Sequence, residues 1–258
     1  IGVVKATGGA TRWMDIGDNR DMYYPRIYWH SPERLLVMRM RRLQNRWDLL
    51  ICNPKSGKKK QGLMEMDQDG WVNVHDNYRF LEKDELVWIS ERSGYQHLHR
   101  HTLKGEELAQ ISSGQWEATR IVHVDEEGGV VLFMANKASV AESHLYSVSF
   151  DGTGLKQLTT EEGNHSVQFS PSGQYFVDSF SSVSQPRKIL LKRRDGTVVR
   201  IIEETDKSQF DDYDWSVPQF VTFKTHDGAA TLDGIVTLPV GYNKRKKYPM
   251  IVYGYGMP

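Results

Sequence analysis

The sequence predicts an all-β chain: a partial β-propeller of about four and a half four-stranded blades, followed by a tail of different character. Three observations predict it. A hairpin unit recurs four times, a turn plus a strongly apolar strand precedes each copy, and the copies repeat at roughly 40–50 residues, the spacing of propeller blades. Helix signals are almost absent, and Glu203–Phe210 is the one plausible helical or irregular connector. A generic β-sandwich is the competing architecture; four units agreeing in strand order and turn placement favour the propeller.

The hairpin is clearest at residues 144–159. Leu145 to Phe150 alternates apolar and small polar residues, the pattern of a half-buried strand. Asp151-Gly-Thr-Gly154 supplies turn chemistry, because glycine adopts positive φ without steric cost, and Leu155 to Thr159 returns as a second strand. The other copies are Arg46–Gly57 leading into Gln61, Tyr95–Gly105 leading into Leu108, and Arg187–Gly196 leading into Val198. The preceding turn and apolar strand begin at His30, Glu82, Asp125 and Ser170, and a first short strand lies ahead of each, at Pro25–Trp29, Asn77–Leu81, Arg120–Val124 and Ser166–Phe169. The blades therefore run over 22–70, 71–115, 116–163 and 164–205. Residues 1–21 read as the closing hairpin of a preceding blade, joined at Thr7-Gly-Gly, so the molecule reads as a segment cut from a longer chain. An open array leaves a sheet face at each end without its neighbour, an apolar surface that needs a partner.

From about residue 206 the pattern changes, and 206–258 reads as a connector and the first strands of another domain. Gln219–Gly228 and Ala230–Pro239 form a strand, an Asp-Gly turn and a return strand. A basic loop over Lys244–Lys247 leads to Met250-Ile-Val-Tyr-Gly-Tyr-Gly-Met-Pro258, an apolar run that suits a buried strand of an α/β sheet opening into a loop.

Composition bounds the partners. Lys+Arg and Asp+Glu are both 33 in 258 residues, so the formal net charge is zero, which argues against nucleic acid or an anionic membrane as the main partner. Arg39, Arg41, Arg42 and Arg46 beside Trp47 then read as a solvated, salt-bridged face. No run approaches the roughly 18 apolar residues that span a bilayer. The single cysteine, Cys52, allows no intrachain disulfide and reads as a small core residue. His97, His99 and His101 alternate and would share one strand face, a spacing that can chelate zinc. With no carboxylate or Cys placed beside them, and with outer strands solvated, no metal site is assigned, and no cofactor. Asn164, His165 and Ser166 read as a satisfied turn where a blade begins, with a channel-facing role as the alternative.

Several segments together resemble the dipeptidyl peptidase IV family of serine peptidases, in a bacterial-type version. They are Arg41-Arg-Leu-Gln-Asn45 before the strand ending in Cys52, Gly70-Trp-Val-Asn-Val-His-Asp76, Glu91-Arg-Ser-Gly-Tyr-Gln-His-Leu98 and Gly114-Gln-Trp-Glu117. The strongest is Lys247-Tyr-Pro249 followed by Tyr255-Gly-Met-Pro258, where Met257 stands in place of the family's usual Gly. The resemblance implies the later blades of an eight-bladed ring and the first strands of an α/β-hydrolase domain. It implies a parent enzyme that removes N-terminal dipeptides with Pro or Ala at the second position, with the propeller gating the chamber. Tyr255 matches the tyrosine that contributes to the oxyanion hole; a packing aromatic at a strand end is the other reading. The chain contains no Gly-x-Ser-x-Gly, so the nucleophile elbow and its Asp and His partners are expected outside it, and the segment alone is expected to be inactive. The partners so implied are peptide substrates, the remaining blades and hydrolase domain of the same chain, and a second copy in a homodimer; the compartment is a bacterial periplasm or envelope. A non-catalytic binding propeller and an inactive peptidase relative are the alternatives.

Overall fold

A computed structural model describes residues 1–254. In chain order the strands are β1 (Gly2–Val3), β2 (Arg12–Trp13), β3 (Met22–Ser31), β4 (Arg34–Arg41), β5 (Arg46–Cys52), β6 (Lys59–Met66), β7 (Tyr78–Leu81), β8 (Glu85–Ser90), β9 (His97–Thr102), β10 (Glu107–Gln110), β11 (Ala118–Asp125), β12 (Val130–Ala135), β13 (His144–Ser149), β14 (Lys156–Gln157), β15 (Asn164–Phe169), β16 (Tyr175–Ser181), β17 (Lys188–Arg193), β18 (Val198–Glu204), β19 (Gln219–Lys224) and β20 (Thr231–Val236). They form four four-stranded antiparallel meanders, β3–β6, β7–β10, β11–β14 and β15–β18, with a two-stranded ribbon at either end. The fold is a partial β-propeller. The helical content among the described residues is two single 3₁₀ turns, Glu82–Asp84 and Lys207–Phe210; the second falls inside the predicted connector.

The core lies between sheets rather than within one. In β4, Leu35 and Val37 pack with Met14, Ile16, Leu50 and Cys52 against the N-terminal ribbon, while Leu36, Met38 and Met40 pack against Leu86 and Trp88 of the next sheet. β8 divides its residues the same way: Leu86 and Trp88 face the preceding sheet, Val87 and Ile89 the following one. β12 sends Val131, Phe133 and Ala135 back and Leu132 and Met134 forward. Successive strand residues point to opposite faces, so burial of both faces requires an uninterrupted apolar run, and these three strands have one. Trp47 and Trp88 meet edge-on across the first interface at 4.9 Å.

Trp47, read as part of a solvated face, is therefore core. Arg39 and Arg46 of that stretch both bond Asp48, a carboxylate only 7% exposed, at 3.0 and 2.7 Å; Arg41 and Arg42 are exposed. Cys52 is buried, and burial raises its thiol pKa and suppresses thiolate reactivity.

One glycine position recurs. In the turn between the third and fourth strands of each sheet stand Gly57, Gly105, Gly152 and Gly196, with φ of 77°, 95°, 83° and 93°, where L side chains are strained. Each also abuts the backbone of the preceding sheet or ribbon. A Cβ on Gly105 would lie 3.2 Å from Leu63 Cα, and one on Gly152 3.1 Å from Ile111 O. The glycine thus makes the turn and lets neighbouring sheets approach.

The last sheet differs from the three before it. β16 alternates buried Phe176, Asp178 and Phe180 with more exposed Tyr175, Val177 and Ser179, and β18 is exposed throughout. Its side chains Val198, Val199, Ile201 and Ile202 form an uncovered apolar edge, as expected for an open array. The tail departs from expectation. Met250–Gly254 is not a strand, and Met250, Ile251, Val252 and Tyr253 are 79–97% exposed. A continuous apolar run becomes a buried strand only when a sheet pairs with it, and no described strand does so. No described helix is long and apolar enough to cross a membrane.

Gly94 and Gly105 provide a matched test. Both belong to turns of the β7–β10 sheet, with φ of 97° and 95°, and a Cβ on Gly94 meets nothing within 4 Å. Both alanine variants should lose about 1–2 kcal/mol to positive-φ strain, and Gly105→Ala a further ~1 kcal/mol from overpacking. Urea unfolding of the two variants measures the difference; equal losses would mean that the sheet contact does not require glycine.

Candidate functional site

The densest polar constellation lies where the β3–β6 and β7–β10 sheets meet. β8 ends at Ser90, the chain turns over 91–94, and β9 runs back antiparallel, placing His101, His99 and His97 opposite Leu86, Trp88 and Ser90. All three histidines are 1% exposed. The expected solvated outer strand is thus buried, because both sheet faces are covered here. His97 is held by Ser112 Oγ and Gly114 O, each at 3.0 Å.

Arg92 organises the rest. Its Nη2 donates to Glu65 Oε2 at 2.5 Å and its Nε to Ser90 Oγ at 3.1 Å, while Ser90 Oγ donates to Glu65 Oε1 at 2.6 Å. Glu65 is on β6, so this ion pair spans two sheets; removing one partner of such a pair costs about 3–5 kcal/mol. The guanidinium also covers the Trp88 ring at 5.2 Å. Its Nη1 lies 3.3 Å from both His101 Nε2 and Glu107 Oε2. Glu107 Oε1 lies 3.3 Å from His99 Nδ1, so a carboxylate does stand beside the histidines, contrary to the sequence expectation. Burial first, then the Arg92 charge, lowers the His101 pKa to about 4. His99 is lowered by the same two causes, and both rings are neutral at physiological pH.

Next to this cluster opens a cavity of about 380 Å³ lined by Glu65, Trp71, Asn73, His75, Glu91 and Arg92, among others. Glu91 accepts from Asn73 Nδ2 at 3.3 Å and from Gln96 Nε2 at 2.9 Å, leaving a fixed carboxylate at the rim. The cavity mixes acid, base and aromatic surface, the combination that suits a polar ligand with an apolar part.

A second buried cluster joins the last two sheets. His165 Nδ1 contacts Asp178 at 2.9 Å and its Nε2 contacts Glu161 O at 2.7 Å. Lys192, 1% exposed, lies 3.0 Å from Asp178 and 2.8 Å from Glu161. Asn164–Ser166 is therefore strand with His165 turned inward, not a turn; Asn164 and Ser166 are exposed. Nothing local marks Lys192 as buried: it opens the basic run Lys192-Arg-Arg194, which reads as a solvated approach to the turn, and its partners lie 31 and 14 residues away along the chain. Tyr255, the residue matched to an oxyanion donor, lies outside the described residues.

His75 lines the cavity, partly buried, with its Nε2 donating to Ile89 O at 2.8 Å, and burial lowers its pKa despite nearby Glu91, Asp76 and Glu65. The unfolded chain protonates this ring near pH 6.5, the folded chain only at lower pH. The stabilisation is complete above 6.5 and is lost as pH falls from there toward the lowered folded value. An NMR titration should show the His75 ring protonating at lower pH than an unperturbed imidazole, and the urea midpoint of the wild type should fall more between pH 7 and 5.5 than that of His75→Gln. Protonation of His75 at its ordinary pH would contradict this.

A family profile described as the dipeptidyl peptidase IV N-terminal region matches residues 1–187. Dipeptidyl peptidase 4 of Arthroderma otae is 28% identical over 218 residues, covering 81% of this chain and 28% of the relative. The probable dipeptidyl-aminopeptidase B of Emericella nidulans is 28% identical over 265 residues, covering 93% and 28%. The crystal structure of Porphyromonas gingivalis dipeptidyl peptidase 4 superposes with a TM-score of 0.86 at 24% identity over 93% of this chain and 34% of that one. The chain spans about a third of the length of these relatives. With the profile covering residues 1–187 of 258, the chain belongs to the dipeptidyl peptidase IV family, through that family's N-terminal propeller region.

Proposed function

We propose that the 258 residues are the later blades of the propeller of a serine-type dipeptidyl peptidase, which removes N-terminal dipeptides with Pro or Ala at the second position. The observation that carries the reading is family membership over 1–187 followed, in collinear order, by Lys247-Tyr-Pro249 and Tyr255-Gly-Met-Pro258. The likeness to relatives named dipeptidyl peptidases extends over 93–95% of the chain. In this reading the propeller walls a chamber and admits peptides rather than folded proteins. The nucleophile, its Asp and His partners, the other blades and the hydrolase domain come from the rest of the parent protein. The exposed apolar residues of β18, with Phe220, Phe223 and Ile235 on β19 and β20, are the surfaces those parts would cover. A homodimer and a bacterial periplasmic or envelope location complete the proposal.

Tyr255 supplies the chemistry this chain contributes. A phenol hydroxyl aimed at the carbonyl oxygen of the scissile bond donates more strongly as that oxygen becomes an oxyanion, and so lowers the barrier rather than merely binding substrate. In the parent enzyme, Tyr255→Phe should lower kcat on a Gly-Pro chromogenic substrate by roughly 10²–10³ with little change in KM. The 258-residue chain alone should show no turnover. Triad-like turnover by the isolated chain, or an unchanged kcat in Tyr255→Phe, would overturn the reading.

A further inference from the structure

We propose that Arg79 and Arg120 make the channel wall of the propeller a carboxylate-recognising surface, so that peptides with an anionic chain beyond the released dipeptide are the preferred substrates; the inference rests on the peptidase reading above. The sheets of a propeller surround a central channel. The first strands of successive sheets, β7, β11 and β15, touch one another in turn. Just before β7, Asn77 Nδ2 donates to Thr119 O of β11 at 3.0 Å. Arg79 Nη2 of β7 donates to Ile121 O of β11 at 3.1 Å, and Arg120 Nη2 of β11 donates to Val167 O of β15 at 3.2 Å. Each first strand is an edge of its sheet, so these are contacts of edge with edge. Sheets that radiate from an axis bring their edges together only there, which places the first strands at the channel.

The wall so formed is basic in a chain whose net charge is zero. β3, β7, β11 and β15 together carry three arginines, Arg26, Arg79 and Arg120, and one carboxylate, Asp125, which Arg194 holds at 2.7 Å. Arg26 is neutralised by Asp76, at 2.5 and 2.9 Å. Arg79 and Arg120 differ. Both are exposed, and among the described residues their contacts are all to main-chain carbonyls: Asp76, Tyr78 and Ile121 for Arg79, Val167 for Arg120. A carbonyl fixes the direction of a guanidinium without cancelling its charge. It also leaves N–H donors open, Nε of Arg79 and both Nε and Nη1 of Arg120. A planar guanidinium fork matches a carboxylate in two parallel hydrogen bonds. The low-dielectric walls of a channel focus such a field, which reaches about 10 Å at 0.1 M salt. Release of a dipeptide fixes the free amine at the start of the substrate and leaves the charge of the remaining chain open, and that remainder is what these two residues select.

The test uses the parent peptidase and four peptides that begin Gly-Pro-Ala. One has glutamates in its tail and an amidated end, one has lysines and an amidated end, and an all-alanine tail is used both as free acid and as amide. Release of Gly-Pro is followed at about 10 mM and about 500 mM salt, where screening is weak and strong. At low salt kcat/KM for the glutamate tail should exceed that for the lysine tail by roughly 10-fold, and the ratio should shrink toward one at high salt. A gain of the free acid over its amide assigns recognition to the chain end as well; a gain confined to the glutamate tail assigns it to side-chain carboxylates. The double variant Arg79→Gln, Arg120→Gln should lower the glutamate-to-lysine ratio by at least about 3-fold, and Arg79→Lys, Arg120→Lys, which keeps both charges, should retain it. Each value is a ratio within one preparation, so any loss of folded enzyme cancels. Equal kcat/KM for all four peptides at low salt, or a ratio unaltered in the glutamine variant, would overturn the proposal. Failure to release Gly-Pro from any of the peptides would instead overturn the peptidase reading, and this inference with it.

Discussion

Everything in this molecule follows from sheets that must be covered on both faces. A four-stranded sheet with one apolar face can pack against a single partner; a sheet apolar on both faces needs two, and a row of such sheets can only stack side by side. β4, β8 and β12 each carry an unbroken apolar run, Leu35–Met38, Leu86–Ile89 and Val130–Ala135. Each sends alternate residues into two different clusters. Burying one Leu or Phe side chain contributes about 1.5–3 kcal/mol, so the sheet-to-sheet contacts outweigh any single hydrogen bond between blades. The recurring turn glycine serves this stacking, because it keeps Cβ atoms out of the closest backbone contacts.

Polar groups then fix how the sheets sit on one another. Arg92 with Glu65 spans one interface, and Arg194 with Asp125, at 2.7 Å, spans another. Lys192 is held by Glu161 and Asp178 beside the His144–His165 ring pair. Buried ion pairs add little net stability once desolvation is counted, but they strongly penalise arrangements that leave one partner unpaired. In a stack whose apolar faces would tolerate sliding, that penalty selects one register. The first of these clusters puts neutral imidazoles, His99 and His101, beside the Glu107 carboxylate at a blade junction next to a cavity.

The sequence made the architecture legible because blades are local. Each hairpin lies within about 20 residues, and a Ser-Gly, Lys-Gly or Asp-Gly turn marks its position; the pairing of β13 with β14 and of β17 with β18 gives the predicted hairpins. In the last sheet β16 alternates buried and exposed residues, while β12 is apolar throughout. What was hidden is what depends on distant partners. His97, His99 and His101 read as an outer, wet strand because nothing local says that a neighbouring sheet covers it. Glu107 reaches the imidazoles through a bulge that leaves no sequence mark. Trp47 and Arg39 look like a basic aromatic patch until Trp88 and Asp48 are placed against them. Met250–Tyr253 reads as a strand on composition alone, and composition cannot supply the sheet to pair with it.

The claim that stacking on both faces holds the chain together is tested most directly by native-state hydrogen–deuterium exchange resolved by strand. The account predicts that amides of β4, β8 and β12 exchange only through global unfolding. Protection should decline through β16 and become weak at β18, β19 and β20. Protection of β18 and β20 equal to that of β12 would show that hydrogen-bonded sheets persist without a covered face, and would contradict it.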